Sequence, residues 1–315
     1  MRAELLWLPL FAVPLVLHNE VALTILVFTF ILGILAVSFN LIFGYTGQLS
    51  MFHAAAFGIG AYATHLSMEH LGVSFWGGVA IAVLVVAAIS LVVGTICFQF
   101  RLREFYFAIV TLAFSEIARL VILNWSSFTN GTLGINLITK PTLWLPGRGT
   151  VPIEGTRMWY YLALVALILT VLVCTRVVHS WMGRCFAAIR LNDDLADTLG
   201  INVFRYKLIS FMIGNAGAAI AGALYAFYLS YVEPNYLSIE QSLAIIAMVL
   251  LGGRQPVAGP IVGAFVLTAL PHVINLSAEF RILVYGLILI LTILLMPRGI
   301  MGVLMGVLTR PRHVL

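Results

Sequence analysis

Three clusters of polar residues stand out by type and spacing. Asn40, Tyr45, Thr46, Gln48 and Ser50 offer hydrogen-bonding side chains around two glycines, Gly44 and Gly47, and His53 follows closely. Glycines so near each other break a helix, so the stretch reads as a bend lined with donors and acceptors. Glu116 and Arg119 stand three residues apart, a spacing that pairs opposite charges on one helix face. The third cluster runs Asn192-Asp-Asp-Leu-Ala-Asp-Thr-Leu-Gly200. A good N-cap residue, acids in the first turn and a closing glycine mark a short helix. Leu191, Leu195, Ala196 and Leu199 fall on one face of it.

Catalytic equipment is missing. There is no G-x-x-x-x-G-K-[ST] phosphate loop, nucleophile elbow, dinucleotide fingerprint or paired Cys/His set. The sequence therefore assigns no catalytic residue, no metal ligand and no cofactor to this chain. His65, Glu69 and His70 miss the H-x-x-E-H pattern by one residue and are expected to be solvated groups at a helix end. Cys97, Cys174 and Cys185 are far apart and odd in number, and read as small apolar fillers.

The elements that must position these clusters follow from composition. Of 315 residues, 62% are hydrophobic and 9% charged, with a mean hydropathy of +1.08. An average soluble domain is about half apolar and about a quarter charged. So few charges cannot cover a soluble surface, which excludes a soluble enzyme, a disordered protein and a nucleic-acid binder. What remains is an all-α polytopic membrane protein. A bilayer core of about 30 Å takes roughly 20 apolar residues per helix, and a helix leaves no backbone group unpaired in lipid.

Cutting the chain at its polar punctuation yields about ten transmembrane helices, at 5–17, 21–39, 52–67, 75–98, 106–124, 158–177, 208–231, 241–252, 257–275 and 281–296. The first and eighth are too short to cross upright and can be partial or re-entrant. Arg2 and the run from Leu5 to Leu17 look like a signal peptide, but no small-x-small cleavage site follows, and Pro9 and Pro14 suit a short irregular span. Alternation places Arg2, Arg101, Arg103, Arg176, Arg184, Arg190, Arg205, Lys207, Arg254, Arg298, Arg310 and Arg312 on one side. Lys140, Arg148, Arg157 and Arg281 fall on the other. Twelve against four makes the first side cytoplasmic, both termini included.

Membrane depth sharpens the first two clusters. An ionisable group near the bilayer centre costs about 2.5–3.5 kcal/mol on insertion scales. Glu116 and Arg119 are then either an internally neutralised pair that orients its helix or the lining of a polar pathway. The bend from Asn40 to Ser50 is either a simple cytoplasmic turn or non-helical backbone at membrane depth, which must be buried in protein or line a cavity.

Residues 1–315 read as one transmembrane domain with two long connectors. The outer one, 125–157, carries Pro141, Pro146 and Pro152 with Trp144 between them and reads as an ordered cap on the membrane surface. The inner one, 178–207, holds the capped helix. Before it, Trp181 to Arg190 interleaves Phe186 and Ile189 with Arg184 and Arg190, a second, basic amphipathic helix. The two helices either lie on lipid or dock a cytoplasmic partner. Gly214, Gly217 and Gly222, and Gly259 with Gly263, favour close helix packing. With no ATP site and no rows of intramembrane acids, the chain looks like a pore-forming subunit powered from outside.

Longer stretches then carry a resemblance. Asn40-Leu-Ile-Phe-Gly-Tyr-Thr-Gly-Gln-Leu-Ser50 and His53-Ala-Ala-Ala-Phe-Gly-Ile-Gly-Ala-Tyr62 resemble LivM-type permeases of branched-chain amino acid ABC importers. So do Tyr106 to Phe114 with Glu116 and Arg119, Gly183 to Arg190, Leu199 to Asn202, Leu251-Gly-Gly253 and Pro297-Arg-Gly299. Together they cover about residues 36 to 302 in order. The resemblance implies a fold similar to the vitamin B12-type importer bundle and a bacterial inner-membrane location, with 125–157 as a periplasmic cap. It also implies partners: a second, LivH-type permease, two cytoplasmic ABC ATPases that hold ATP and Mg, and a periplasmic binding protein.

ABC permeases carry an E-A-A-x-x-x-G loop that docks on the ATPase, and Asp194-Leu-Ala-Asp-Thr-Leu-Gly200 keeps that frame with Asp194 and Leu195 substituted. Arg184, Ala187, Arg190, Asp194, Leu195, Ala196, Leu199 and Gly200 are thus the expected coupling residues. Asn40, Tyr45, Thr46, Gln48, Ser50, His53, Glu116 and Arg119 are the expected translocation-path residues. Phe52 stands where the family pattern has glycine. The expected cargo is a branched-chain or related amino acid; urea or short amides, and an ion-coupled secondary carrier, are the alternatives.

Overall fold

The computed structural model describes residues 19–102, 104–137, 140–145, 149–254, 257–274 and 299–302, together with 10, 11, 13, 14, 286, 287 and 290. In chain order the helices are α1 (Glu20–Asn40), α2 (Phe52–Leu71), α3 (Phe75–Gln99), α4 (Glu104–Asn124), the single turn α5 (Ser126–Thr129) and α6 (Thr156–His179). They continue as α7 (Trp181–Leu191), α8 (Asp193–Thr198), α9 (Val203–Leu229), α10 (Ile239–Gly252) and α11 (Gly259–Ile274). Five of these, α1, α3, α4, α6 and α9, are long and apolar enough to cross a membrane. The chain is accordingly a multi-pass membrane protein.

Helix α9 is the hub, packed against α1, α2 and α3. It can sit so deep because its inward face is made of glycine and alanine. A Cβ on Gly222 would run into the Phe57 carbonyl of α2, and one on Gly263 of α11 into the Met248 carbonyl of α10. Both positions therefore require glycine, as expected where small residues bring helix backbones together. Phe52 fills its site with a ring, packing 6.0 Å from Phe211 and fully buried.

The termini of several helices are closed by their own neighbours. Asn19, Ser74, Ser180, Asn192, Asn202 and Ser238 each accept a backbone N–H of the first turn that follows.

Sequence expectation and structure differ here at three places. The seventh span begins at Val203 rather than 208. Helix α2 extends to Leu71, so His65 is not a solvated helix-end group: it is buried and lies 3.1 Å from Glu69, one turn away. The outer connectors add strands to the helical bundle. β1 (Ile135–Asn136) pairs antiparallel with β4 (Tyr231–Val232), and β2 (Thr142–Leu145) with β3 (Gly149–Pro152). Proline and glycine deny a helix there, and the strands pair their backbone instead. The spans expected at 5–17 and 281–296 lie mostly outside the described residues, and Pro146, Arg148, Pro297 and Arg298 lie outside them.

Two helix breaks lie within the bundle. The middle of α9 falls at residue 216 and that of α4 at residue 114. Thr46 lies 3.4 Å from Ser210, six residues below the α9 midpoint, or about 9 Å at 1.5 Å per residue. The second break lies before α10: Ser115, beside the α4 midpoint, donates to the Leu237 carbonyl at 3.2 Å. The strand β4 and the 3-10 turn Pro234–Leu237 fill the stretch before α10, which starts at Ile239, and the eighth span expected at 241–252 is helix throughout.

Candidate functional site

The bend begins inside α1. The helix passes into a π-helical turn, Leu41–Tyr45, before it ends, so Gly44 does not break it; the break comes at Gly47, whose φ is +77°. Thr46 donates to the Ile42 carbonyl at 2.6 Å, and the Gln48 backbone N–H reaches the same carbonyl at 3.1 Å. π-turns of this kind cluster at functional sites. Asn40 and Gln48 are buried, and neither side-chain amide has a hydrogen-bond partner. Tyr45, Thr46 and Ser50 are buried beside them.

His53 anchors a buried chain of polar groups next to the α9 midpoint. Its Nε2 lies 3.1 Å from the Leu35 carbonyl and 3.3 Å from Ser38. Its Nδ1 lies 3.0 Å from the Asn215 side-chain oxygen, and the Asn215 nitrogen lies 3.0 Å from Ser90. A neutral ring donating from Nε2 to Leu35 fits once the Asn215 amide is turned round, so that its nitrogen donates to Nδ1 and its oxygen accepts the Ser90 hydroxyl. His53 thus joins α1, α2, α3 and α9 rather than opening on a cavity.

The bend is tied to its neighbours at both ends. Met51 receives a hydrogen bond at its carbonyl from Ser242 of α10 (3.1 Å) and donates its N–H to Thr111 of α4 (3.0 Å). At the other end, Arg190 of α7 donates to the Gly44 carbonyl, and its Cγ would stand 3.4 Å from a Cβ on Gly47. Sequence reasoning missed Ser90, Thr111, Ser210, Asn215 and Ser242. Asn215 carries a signal, an amide inside an apolar run, whereas a serine or threonine in a span bonds its own helix too often to betray a partner.

The inner connector has the expected helices. In α8, Asn192 caps Leu195 at 3.0 Å, and Gly200 closes the segment with φ +81°. Leu191, Leu195 and Leu199 are 86, 59 and 70% exposed. Ala196, expected on the same face, is turned inward and buried, because the Ile201 N–H folds back onto its carbonyl. In α7, Phe186 and Ile189 are buried against the bundle, so its apolar side faces protein, while Ala187 is exposed and Arg184 stacks 4.9 Å over Trp181. Ion pairs Lys207–Asp193 and Arg101–Asp197 (3.2 Å) hold α8 to the ends of α9 and α3.

Glu116 and Arg119 pair within α4, with Arg119 Nε 3.0 Å from both carboxylate oxygens. The pair stays about one-third exposed at the helix middle. Ile109, Ile117 and Leu120 of the same helix are exposed too, as are Ile239, Glu240 and Leu243 at the start of α10. Among the described residues, the cavity that Thr46, Gly47 and Gln48 line is not lined by Glu116 or Arg119. Among the described residues, no group of His, Cys, Asp and Glu could hold a metal ion.

Comparison with known proteins gives the fold its relatives. The branched-chain amino acid transport system permease component family matches residues 21–296. The chain is 30% identical over 302 residues to the high-affinity branched-chain amino acid transport system permease protein LivM of Escherichia coli (strain K12), covering 90% of this chain and 69% of that one. It is 25% identical to the LivH permease protein of the same organism, over 86% of this chain and 91% of that one. A probable LivM permease protein of Methanocaldococcus jannaschii is 26% identical over 70% of this chain and 72% of its own length. No solved structure matches. A family match over most of the chain, with the bend, the α4 pair and the capped inner helix all inside it, means that this protein belongs to the branched-chain amino acid transport permease family and is of its LivM type.

Proposed function

We propose that this chain is one half of the membrane path of an ATP-driven importer that carries branched-chain amino acids from a periplasmic binding protein into the cytoplasm. The observation that carries this reading is the inner connector. It presents exposed Leu195 and Leu199 on a capped helix that directly follows α7, whose Arg190 is bonded to the buried bend. A cytoplasmic ATPase that grips α8 moves α7 with it, and Arg190 passes that movement to Gly44 and Gly47. From there the displacement reaches Met51 and its partners on α4 and α10.

The uncovered α4 face supports a second permease subunit, of the LivH type, as the other wall. An ion pair about one-third exposed at mid-membrane is costly against lipid and stable against a polar, hydrated seam. Hydrolysis would take place on two separate ATPase subunits that hold ATP and Mg, both termini would be cytoplasmic, and the location would be the bacterial inner membrane.

The test begins with purification of this chain from its native membrane in mild detergent and mass spectrometry of what stays bound. Walker-motif ATPases and a second permease are expected. The assembly is then placed in liposomes with its binding protein and assayed for ATP-dependent uptake of leucine, isoleucine and valine. Uptake of urea or acetamide alone would move the cargo to the alternative class. Transport driven by an ion gradient without ATP would overturn the importer.

A further inference from the structure

The uncovered face of α6 changes character at its C-terminal end. Val165, Leu169, Leu172 and Val173 are exposed. At about 3.6 residues per turn they share one face of the helix, opposite the buried Leu167 and Cys174. Arg176, also exposed, falls on the same face. From Val165 to Arg176 the helix rises about 16 Å at 1.5 Å per residue, close to one leaflet's hydrocarbon depth of about 15 Å. An apolar stripe of that length, ending in a cation, has the proportions of a phospholipid with its tails and headgroup.

The chain then turns sharply. Ser180 caps α7, and a Cβ on Gly183 would meet the Val178 carbonyl, so the start of α7 lies against the end of α6. Trp181 is 64% exposed, and Arg184, one turn on, stacks 4.9 Å over its ring. Tryptophan settles where hydrocarbon gives way to headgroups, which puts Arg184 at headgroup level beside it. No acidic residue occurs between Glu154 and Asp193. Among the described residues, neither Arg176 nor Arg184 has a carboxylate partner, and the acids of α8 that follow, Asp193 and Asp197, are engaged by Lys207 and Arg101. Two guanidinium groups without a counter-ion at the end of a lipid-facing stripe select an anion that carries its own acyl chains, and phosphate matches the guanidinium fork. A soluble partner fits this elbow less well, because Arg176 stands one turn inside α6, where a headgroup reaches and a soluble domain does not.

We propose that the elbow between α6 and α7 binds an anionic phospholipid, its acyl chains along the Val165–Val173 stripe and its phosphate held by Arg176 and Arg184, and that the lipid braces α7 against α6. Helix α7 carries Arg190, which is bonded to the bend, so the brace sets the position from which the connector moves. Assigning the site to the cytoplasmic leaflet rests on the importer reading; the headgroup chemistry does not.

The purified assembly in mild detergent tests this when titrated with phosphatidylglycerol and with phosphatidylcholine of the same acyl chains, bound lipid being counted by native mass spectrometry. Phosphatidylcholine is expected to bind about tenfold more weakly than phosphatidylglycerol. An arginine at an anionic headgroup contributes about fivefold. Arg176→Gln and Arg184→Gln should each weaken phosphatidylglycerol binding by that factor, and the double variant by roughly 25-fold. Arg205→Gln, which removes an exposed cation of α9, should leave it unchanged. In nanodiscs, amide exchange across 176–191 should slow when phosphatidylglycerol replaces phosphatidylcholine; unchanged exchange would remove the brace. The lipid comparison on the unsubstituted assembly stands even if a variant fails to fold. Equal binding of the two lipids, or displacement of phosphatidylglycerol by glycerol 3-phosphate at similar concentrations, would overturn the site. A double variant that loses its ATPase subunits yet keeps phosphatidylglycerol would give the elbow to the ATPase instead. Lipid binding is read without transport, so an assembly that imports no branched-chain amino acid overturns the importer reading and leaves this site standing.

Discussion

Glu116 and Arg119 allow a quantitative test of why a charged pair persists at mid-membrane. Glu116→Gln removes the carboxylate whose two oxygens both lie 3.0 Å from Arg119 Nε and leaves a guanidinium near the centre of α4. An uncompensated charge there costs about 2.5–3.5 kcal/mol, which converts to a loss of roughly 60- to 300-fold in the folded, inserted fraction. Arg119→Met leaves a lone carboxylate and should cost a similar amount. The double replacement leaves no charge to desolvate, so its stability should return to within about 1 kcal/mol of the original, as for other buried pairs replaced by neutral side chains. Thermal unfolding of the purified chain in detergent, with protease resistance in membranes, reads the three variants side by side. Equal loss in both singles and the double would refute mutual neutralisation. A stable double variant that no longer transports would instead place the charges in the cargo's path.

Leu195→Asp alters a side chain that is mostly exposed; the chain's own melting temperature should not change, while ATP hydrolysed per leucine imported should rise several-fold. Normal coupling would remove α8 from the ATPase contact. Asn192→Ala deletes the cap on Leu195 and should loosen α8 by about 1 kcal/mol, seen as faster amide exchange confined to 193–198. Gly222→Ala puts a methyl into the Phe57 carbonyl and should lower stability by about 1–3 kcal/mol. Melting in detergent checks it beside Gly77→Ala, whose nearest neighbour would be the Val73 Cβ at 3.3 Å rather than a backbone carbonyl at 1.8 Å. Equal melting temperatures would mean that α2 and α9 can move apart freely.

Much of this architecture is written in local sequence. Apolar runs of the right length specify α1, α3, α4, α6 and α9, because lipid penalises every unpaired backbone group wherever the segment sits. The capped helix at Asn192–Gly200 is equally local: the cap, the first-turn acids and the glycine all act within nine residues of one another. The i, i+3 pairing of Glu116 with Arg119 needs nothing beyond one helix.

What tertiary structure alone decided is where long-range contacts settle an ambiguity that the local chemistry leaves open. The stretch from Asn40 to Ser50 has the composition of a surface turn. It is buried because Ser210 and Arg190 take up its backbone and hydroxyl groups, and Thr111 and Ser242 take up the backbone of Met51 just after it, so that four other helices close over it. His65 looks like a solvated helix-end group and is buried because α2 is covered by its neighbours to its outer turns. The turn before α10 is held by Ser115 of α4 at the Leu237 carbonyl, and Ala196 turns inward because Ile201 folds back on it. In each case the deciding partner is five to nearly two hundred residues away along the chain, and a periodicity of side chains carries no record of which distant group will satisfy a given polar atom.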